Sequence, residues 1–114
     1  MKKILLTLVL LAATNVSAVY MSSCYNYGDD VSFSFTSCIS RNFSTAGVIS
    51  SCYNYGDELS SSYQSCVNRN FSNLSREYGI YVQSCYNYGD GVSFSYESCV
   101  NRNFSEVGRA MDRR

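Results

Sequence analysis

The sequence contains no histidine, tryptophan or proline, and its only two lysines, Lys2 and Lys3, lie at the N-terminus. Histidine is the commonest general base in enzymes and a common metal ligand. A nucleophile also needs an adjacent base or a lowered pKa, and this chain offers few side chains for either role. We therefore predict a protein that is not an enzyme, with no catalytic residue and no cofactor.

Long hydrophobic runs are also lacking. The longest, residues 4–13, follows the two lysines and is ten residues long, whereas a membrane-spanning helix needs about 20. Val16, Ser17 and Ala18 then match the small-x-small pattern at which signal peptidase cleaves. The sequence predicts a cleaved signal peptide over residues 1–18, of a type that favours a bacterial origin, and no transmembrane segment in the mature chain.

Basic residues are few once this segment is removed. The mature chain, residues 19–114, keeps seven arginines and nine acidic residues, a net charge of −2. Nucleic-acid binding calls for clustered basic side chains, so we expect no nucleic-acid partner. Export predicts a secreted or periplasmic location, where cysteines form disulfides.

One stretch, Cys-Tyr-Asn-Tyr-Gly-Asp, occurs three times, and a second cysteine follows the first by 14 positions in each copy. Arg-Asn-Phe-Ser comes next in all three. Copies offset by 28 and 33 residues indicate one supersecondary unit each. We predict one small domain of three repeats, at about residues 19–46, 47–78 and 79–114.

Each repeat has an extended half and a helical half. β-branched and aromatic residues lead into each Cys-Tyr-Asn-Tyr run, which favours a strand. After Gly-Asp, apolar residues recur at i, i+4, i+7, i+8 and i+12, a helical stripe. We predict helices near 30–44, 58–75 and 91–107, with Asp29, Asp57 and Asp90 as N-caps.

The predicted fold is α+β, three strand–turn–helix repeats. The alternative is an all-α disulfide-stapled array with irregular arms.

Geometry favours disulfides within each repeat. Four residues of strand span about 13 Å, and nine residues of helix climb about 13.5 Å, so a strand folded back along its helix brings the two cysteines level. Zinc sites usually space their cysteines two to four residues apart, whereas 13 residues separate these. We predict no metal site and three disulfides: Cys24–Cys38, Cys52–Cys66 and Cys85–Cys99.

The repeated tyrosines are the candidate binding residues. In an extended chain the two tyrosines of each run share one face, and the asparagine and cysteine share the other. They either pack in the core or across strands, or form a ladder of aromatic platforms for a ligand. The six residues are Tyr25, Tyr27, Tyr53, Tyr55, Tyr86 and Tyr88.

The tandem copies favour an exported, non-enzymatic structural or binding module, and the sequence does not identify its partner. An envelope component, a glycan or a protein would each fit. One alternative is a secreted effector, toxin or enzyme inhibitor. Another is a module that binds a glycan or peptidoglycan through the repeated tyrosines.

Overall fold

The computed structural model describes residues 21–113, which contain three α-helices and no β-strand. The helices are α1 (Phe33–Thr45), α2 (Ser61–Tyr78) and α3 (Phe94–Arg113). A segment of seven residues without helix or strand lies before each helix, and in its Cys-Tyr-Asn-Tyr run buried and exposed side chains alternate as in an extended chain. We call these segments arm 1 (21–27), arm 2 (49–55) and arm 3 (82–88). The predicted signal peptide lies outside the described residues.

The α+β prediction is therefore wrong, and the all-α alternative fits the structure. The arms are extended, as their composition indicates, but they do not pair with one another. Each arm lies between two helices. Side-chain amides of both helices bond to the main chain of arms 1 and 3, and an amide of its own helix bonds to arm 2, in the place that a neighbouring strand would otherwise take. A sequence pattern shows an extended conformation but not which groups complete its hydrogen bonds.

The core is built in layers to which each helix contributes one side chain. Each helix places buried residues at intervals of four, the spacing that keeps side chains on one face. The central layer is a triangle of Phe43, Phe71 and Phe104, whose ring centroids lie 4.8–4.9 Å apart. The two layers before it are Ile39, Val67 and Val100, and Phe35, Tyr63 and Tyr96, all at most 1% exposed. The predicted helical stripe is confirmed in these layers.

The helices begin three residues later than predicted. Ser32 and Ser60 are the N-caps of α1 and α2, and each side chain accepts a hydrogen bond from the N–H three residues on. In repeat 3 the Ser93 hydroxyl accepts from Tyr96 N–H at 3.2 Å. The aspartate caps at Asp29, Asp57 and Asp90 are therefore wrong. Serine and aspartate are nearly equal as caps, so the sequence alone did not choose between them.

The predicted disulfides are confirmed. Bridges join Cys24 to Cys38, Cys52 to Cys66 and Cys85 to Cys99, with Cα–Cα distances of 5.6–5.7 Å. Each bridge joins an arm to the helix of its own repeat. The described residues hold no free cysteine.

The later helices are longer than the first. α2 continues to Tyr78, where Gly79 ends it in the left-handed conformation with φ 65°, a common helix stop. α3 continues to Arg113, six residues past its predicted end, and buries Gly108 and Ala110 in the added residues. Within residues 21–113, no helix is both long enough and apolar enough to cross a membrane.

Candidate functional site

Buried asparagines hold each arm to its own helix. The Asn42 amide donates to Ser22 O at 2.7 Å, and its oxygen accepts from Ser22 N–H at 3.1 Å. Asn103 makes the same pair of bonds with Gln83, and Asn70 donates to Ser50 O. These asparagines are 2–3% exposed. The arms are thus held to their helices, because each buried amide needs hydrogen-bond partners and finds them on the main chain of the arm.

A second set of side chains joins arms to the helices of neighbouring repeats. Asn101 on α3 accepts from Cys24 N–H at 2.8 Å and donates to Cys24 O at 2.9 Å. Glu97, one turn earlier on α3, accepts from Asn26 N–H at 2.7 Å. We use the name clasp for two side chains, four residues apart on one helix, that bond in this way to the main chain of an arm in another repeat. This clasp joins the last helix to the first arm and so closes the three repeats into a ring.

The same clasp joins α2 to arm 3. Asn68 exchanges two hydrogen bonds with Cys85, at 2.8 and 3.0 Å, and the Gln64 oxygen accepts from Asn87 N–H at 2.9 Å. Sequence reasoning missed both clasps. The available signal was a Gln or Glu four residues before an Asn, which is present in the second and third copies of the repeat and absent from the first.

The asparagine inside each Cys-Tyr-Asn-Tyr run has a structural role. The Asn26 oxygen accepts from Ser32 N–H at 2.7 Å, and its amide donates to Asp30 O at 3.0 Å. Asn54 and Asn87 make the equivalent bonds in their own repeats. Each asparagine therefore closes the loop between its arm and its helix, and it is not free to bind a ligand.

The six candidate tyrosines are all exposed, at 49–81% of their surface. The cysteine and asparagine that alternate with them along each run are buried or half-buried, as expected for an extended chain with one face toward the protein. Packing in the core is therefore excluded as the role of these tyrosines. Phe33 and Phe94, the first residues of α1 and α3, are exposed as well and add an aromatic ring to repeats 1 and 3.

In repeat 3 the aromatic rings line a groove of about 550 Å³ beside the Cys85–Cys99 bridge. Tyr86 and Tyr88 come from arm 3, and Phe94 and Arg102 from α3. Apolar rings with one cationic group at the edge suit a ligand that combines a flat apolar face with polar substituents. Repeat 2 has Ser61 in the position of Phe94, so the three repeats present related surfaces that are not identical.

The loops between arms and helices bring carboxyl groups together. The pKa of the exposed Glu58 carboxyl is raised, mainly by a hydrogen bond to Asp90 and next by repulsion from the Asp90 charge. Repulsion from Asp30 and Asp57 adds to the rise. Repeat 3 has Gly91 where the others have their second acid. Gly91 has φ 66°, and a Cβ there would lie 2.3 Å from Asp29 O, so only glycine fits.

The exposed tyrosine rings combine an apolar face with a hydroxyl group, which suits contact with a ligand. Among residues 21–113 no group of three potential metal-binding side chains is close enough to hold an ion. Burial disfavours the charged phenolate and so raises the pKa of the Tyr63 and Tyr96 hydroxyls well above their ordinary value. Comparison with protein-family models, curated proteins and solved structures finds no match to this chain.

Proposed function

We propose that the chain is an exported, non-enzymatic binding module whose six repeated tyrosines bind a polymeric glycan such as peptidoglycan. One observation carries the proposal. Within residues 21–113, the cysteines form disulfides and the asparagines and capping serines form hydrogen bonds that hold the fold. The six tyrosines are exposed, and their side chains make no hydrogen bond or ring contact with the described residues. Exposed aromatic rings held on a rigid scaffold are costly in water and are typical of interaction surfaces.

The threefold repetition favours a polymer over a single small ligand. Each tyrosine pair alone offers a small contact area. Three pairs on one rigid body can engage successive units of a chain, and linked contacts raise the overall affinity by 10²–10⁴-fold. A toxin or an enzyme inhibitor would be expected to present one specialised loop, whereas in residues 21–113 the three loops between arm and helix are closed by the same asparagine bonds.

The test is a sedimentation assay with purified peptidoglycan and with cellulose as an unrelated insoluble glycan. Tyr→Ala changes in one pair should weaken binding to peptidoglycan about tenfold, and changes in all three pairs should abolish it. Thermal unfolding of these variants should match that of the wild type, since exposed substitutions change stability by about 0.5 kcal/mol or less.

Two controls separate ring contacts from other effects. Tyr→Phe changes keep the ring and should retain most of the binding. Tyr81 is also exposed but lies outside the repeated pairs, so Tyr81→Ala should bind as the wild type does. Equal sedimentation of the wild type and the six-tyrosine variant would contradict the proposal. Export is tested separately, by sequencing the N-terminus of the protein recovered outside the cytoplasm, which should begin at Val19.

A further inference from the structure

The ring of repeats has one junction without a clasp. Arm 2 lies against α1, as arm 3 lies against α2 and arm 1 against α3. The clasp positions of α1 are Thr36 and Ser40, where α2 has Gln64 and Asn68. The Thr36 hydroxyl donates to Phe33 O within its own helix. Both side chains are too short to repeat the bonds made at the other two junctions.

The main chain of arm 2 is left open as a result. In the described part of the chain, the N–H and C=O of Cys52 and the N–H of Asn54 have no hydrogen-bond partner, although their equivalents in arms 1 and 3 do. Cys52 is 6% exposed, against 1% for Cys24 and Cys85. Residues two apart in an extended chain point their main-chain groups the same way, so these groups form one row.

A cavity of about 380 Å³ lies along this row. Ser40 and Arg41 of α1 line one side, and Cys52 and Tyr53 of arm 2 line the other, with Phe33 at the edge. We call this cavity the open seam. Its volume lies within the range of small ligand sites. Arg41 is its only charged lining residue, and no ion pair within residues 21–113 engages it.

The hydrogen bonds at the two junctions that have a clasp show which chemical groups would bind at the junction between α1 and arm 2. At each of them a carboxamide donates to and accepts from the cysteine main chain, and a second oxygen accepts from the asparagine N–H. A ligand for the open seam therefore needs a carboxamide and a further oxygen acceptor at similar spacing. Arg41 adds a preference for a carboxylate, since arginine pairs well with carboxylate oxygens.

We propose that the open seam binds a peptide segment of a partner protein that carries an asparagine or glutamine and, close to it, an acidic residue. The carboxamide bonds to Cys52 in the place that Asn68 and Asn101 hold at the other junctions. A carbonyl or carboxylate oxygen accepts from Asn54 N–H, and the acidic side chain meets Arg41. Tyr53 lines the seam and also belongs to the proposed glycan-binding tyrosines, so the two sites share one ring, but the contacts proposed here, to the main chain of arm 2 and to Arg41, need no bound glycan.

The experiment selects random 12-residue peptides by display against the oxidised chain, with counterselection against the double variant T36Q/S40N, which supplies the missing clasp. Selected peptides should be enriched in Asn or Gln together with Asp or Glu, and should bind the wild type at least tenfold more tightly than the double variant. In amide-resolved NMR of the wild type, the selected peptide should shift Cys52 and Asn54 more than Cys24, Asn26, Cys85 and Asn87.

A matched pair of single variants makes the test independent of the double variant's folding. Arg41→Gln should weaken the selected peptides at least fivefold, and Arg69→Gln, the same position in repeat 2, should not. T36Q/S40N should also unfold at a higher temperature than the wild type, because it completes the ring. A selection that yields no peptide discriminating between the two proteins, or peptides that shift only amides of arms 1 and 3, would overturn the proposal.

Discussion

At the scale of single residues, the core contains two hydroxyl groups that the fold does not use. Tyr63 and Tyr96 lie in the layer that repeat 1 fills with Phe35. Both hydroxyl oxygens are buried, and neither has a hydrogen-bond partner in the described structure. A buried polar group without a partner costs about 1–3 kcal/mol. Phe35 shows that the same layer accepts a ring without the hydroxyl.

We predict that Tyr63→Phe and Tyr96→Phe each raise the free energy of unfolding by about 1 kcal/mol, because the unpaired hydroxyl is removed and the ring stays. Urea denaturation followed by circular dichroism measures the change. Phe35→Tyr is the matched reverse change and should lower the free energy of unfolding by a similar amount. Destabilisation by Tyr63→Phe would show that its hydroxyl has a partner in solution.

The sequence predicted best those residues whose role depends on neighbours along the chain. Cysteine spacing gave the three disulfides, and helical periodicity gave the layers of the core. The roles of Asn68 and Asn101 could not be predicted this way, because each bonds to an arm 17 or 77 residues away. The Gln or Glu four residues before each asparagine marks the two positions on the helix, but not the distant main chain to which they bond.

At the scale of elements, the arms alternate exposed and buried side chains as strands do, but they do not pair with one another. A high β-propensity shows that a segment suits an extended, half-buried position. In this protein helices, and not neighbouring strands, lie next to the arms. The strand prediction failed for this reason. Helix starts were misplaced by three residues because Asn26 and its equivalents close a loop between the glycine and the cap, an arrangement that the Gly-Asp pair does not reveal.

A comparison of clasp positions tests how the arms are held. Asn101→Ala removes both partners of the Cys24 main chain and should lower the free energy of unfolding by about 2 kcal/mol, since buried amide groups lose their hydrogen bonds. Chemical denaturation of the oxidised protein measures it. Ser40→Ala, at the same helix position in repeat 1, should change stability by no more than about 0.5 kcal/mol. Equal effects of the two changes would contradict the role of the clasp.

At the scale of the whole molecule, stability depends on covalent bridges as much as on packing. The chain has a small core in layers of three side chains, and its helices are rich in serine, a mediocre helix former. Each disulfide closes a loop of about 15 residues, worth about 3 kcal/mol in the chain-entropy model. Domains of this size have a net stability of about 5–15 kcal/mol.

We therefore predict that full reduction unfolds the protein at 25 °C, because the loss of three bridges is comparable to the entire net stability. Circular dichroism at 222 nm should fall sharply after treatment with a phosphine reductant and alkylation, with mass spectrometry to confirm six modified cysteines. The oxidised protein incubated with alkylating agent alone is the control. A cooperative thermal transition in the fully alkylated chain would contradict the prediction.

The clasp from α3 to arm 1 has a consequence for how such a molecule could be assembled. Arms 1 and 3 are each bonded to two helices, their own and that of another repeat, so a single repeat cannot supply all of these bonds to its own arm. Repeat 3 carries both halves of the contact, Glu97 and Asn101 on its helix and Cys85 and Asn87 on its arm. Three separate copies of it could therefore close as a homotrimer, whereas three copies of repeat 1, with Thr36 and Ser40, could not. The single chain therefore resembles a trimer of repeats joined by peptide bonds, in which the junction between α1 and arm 2 has no clasp.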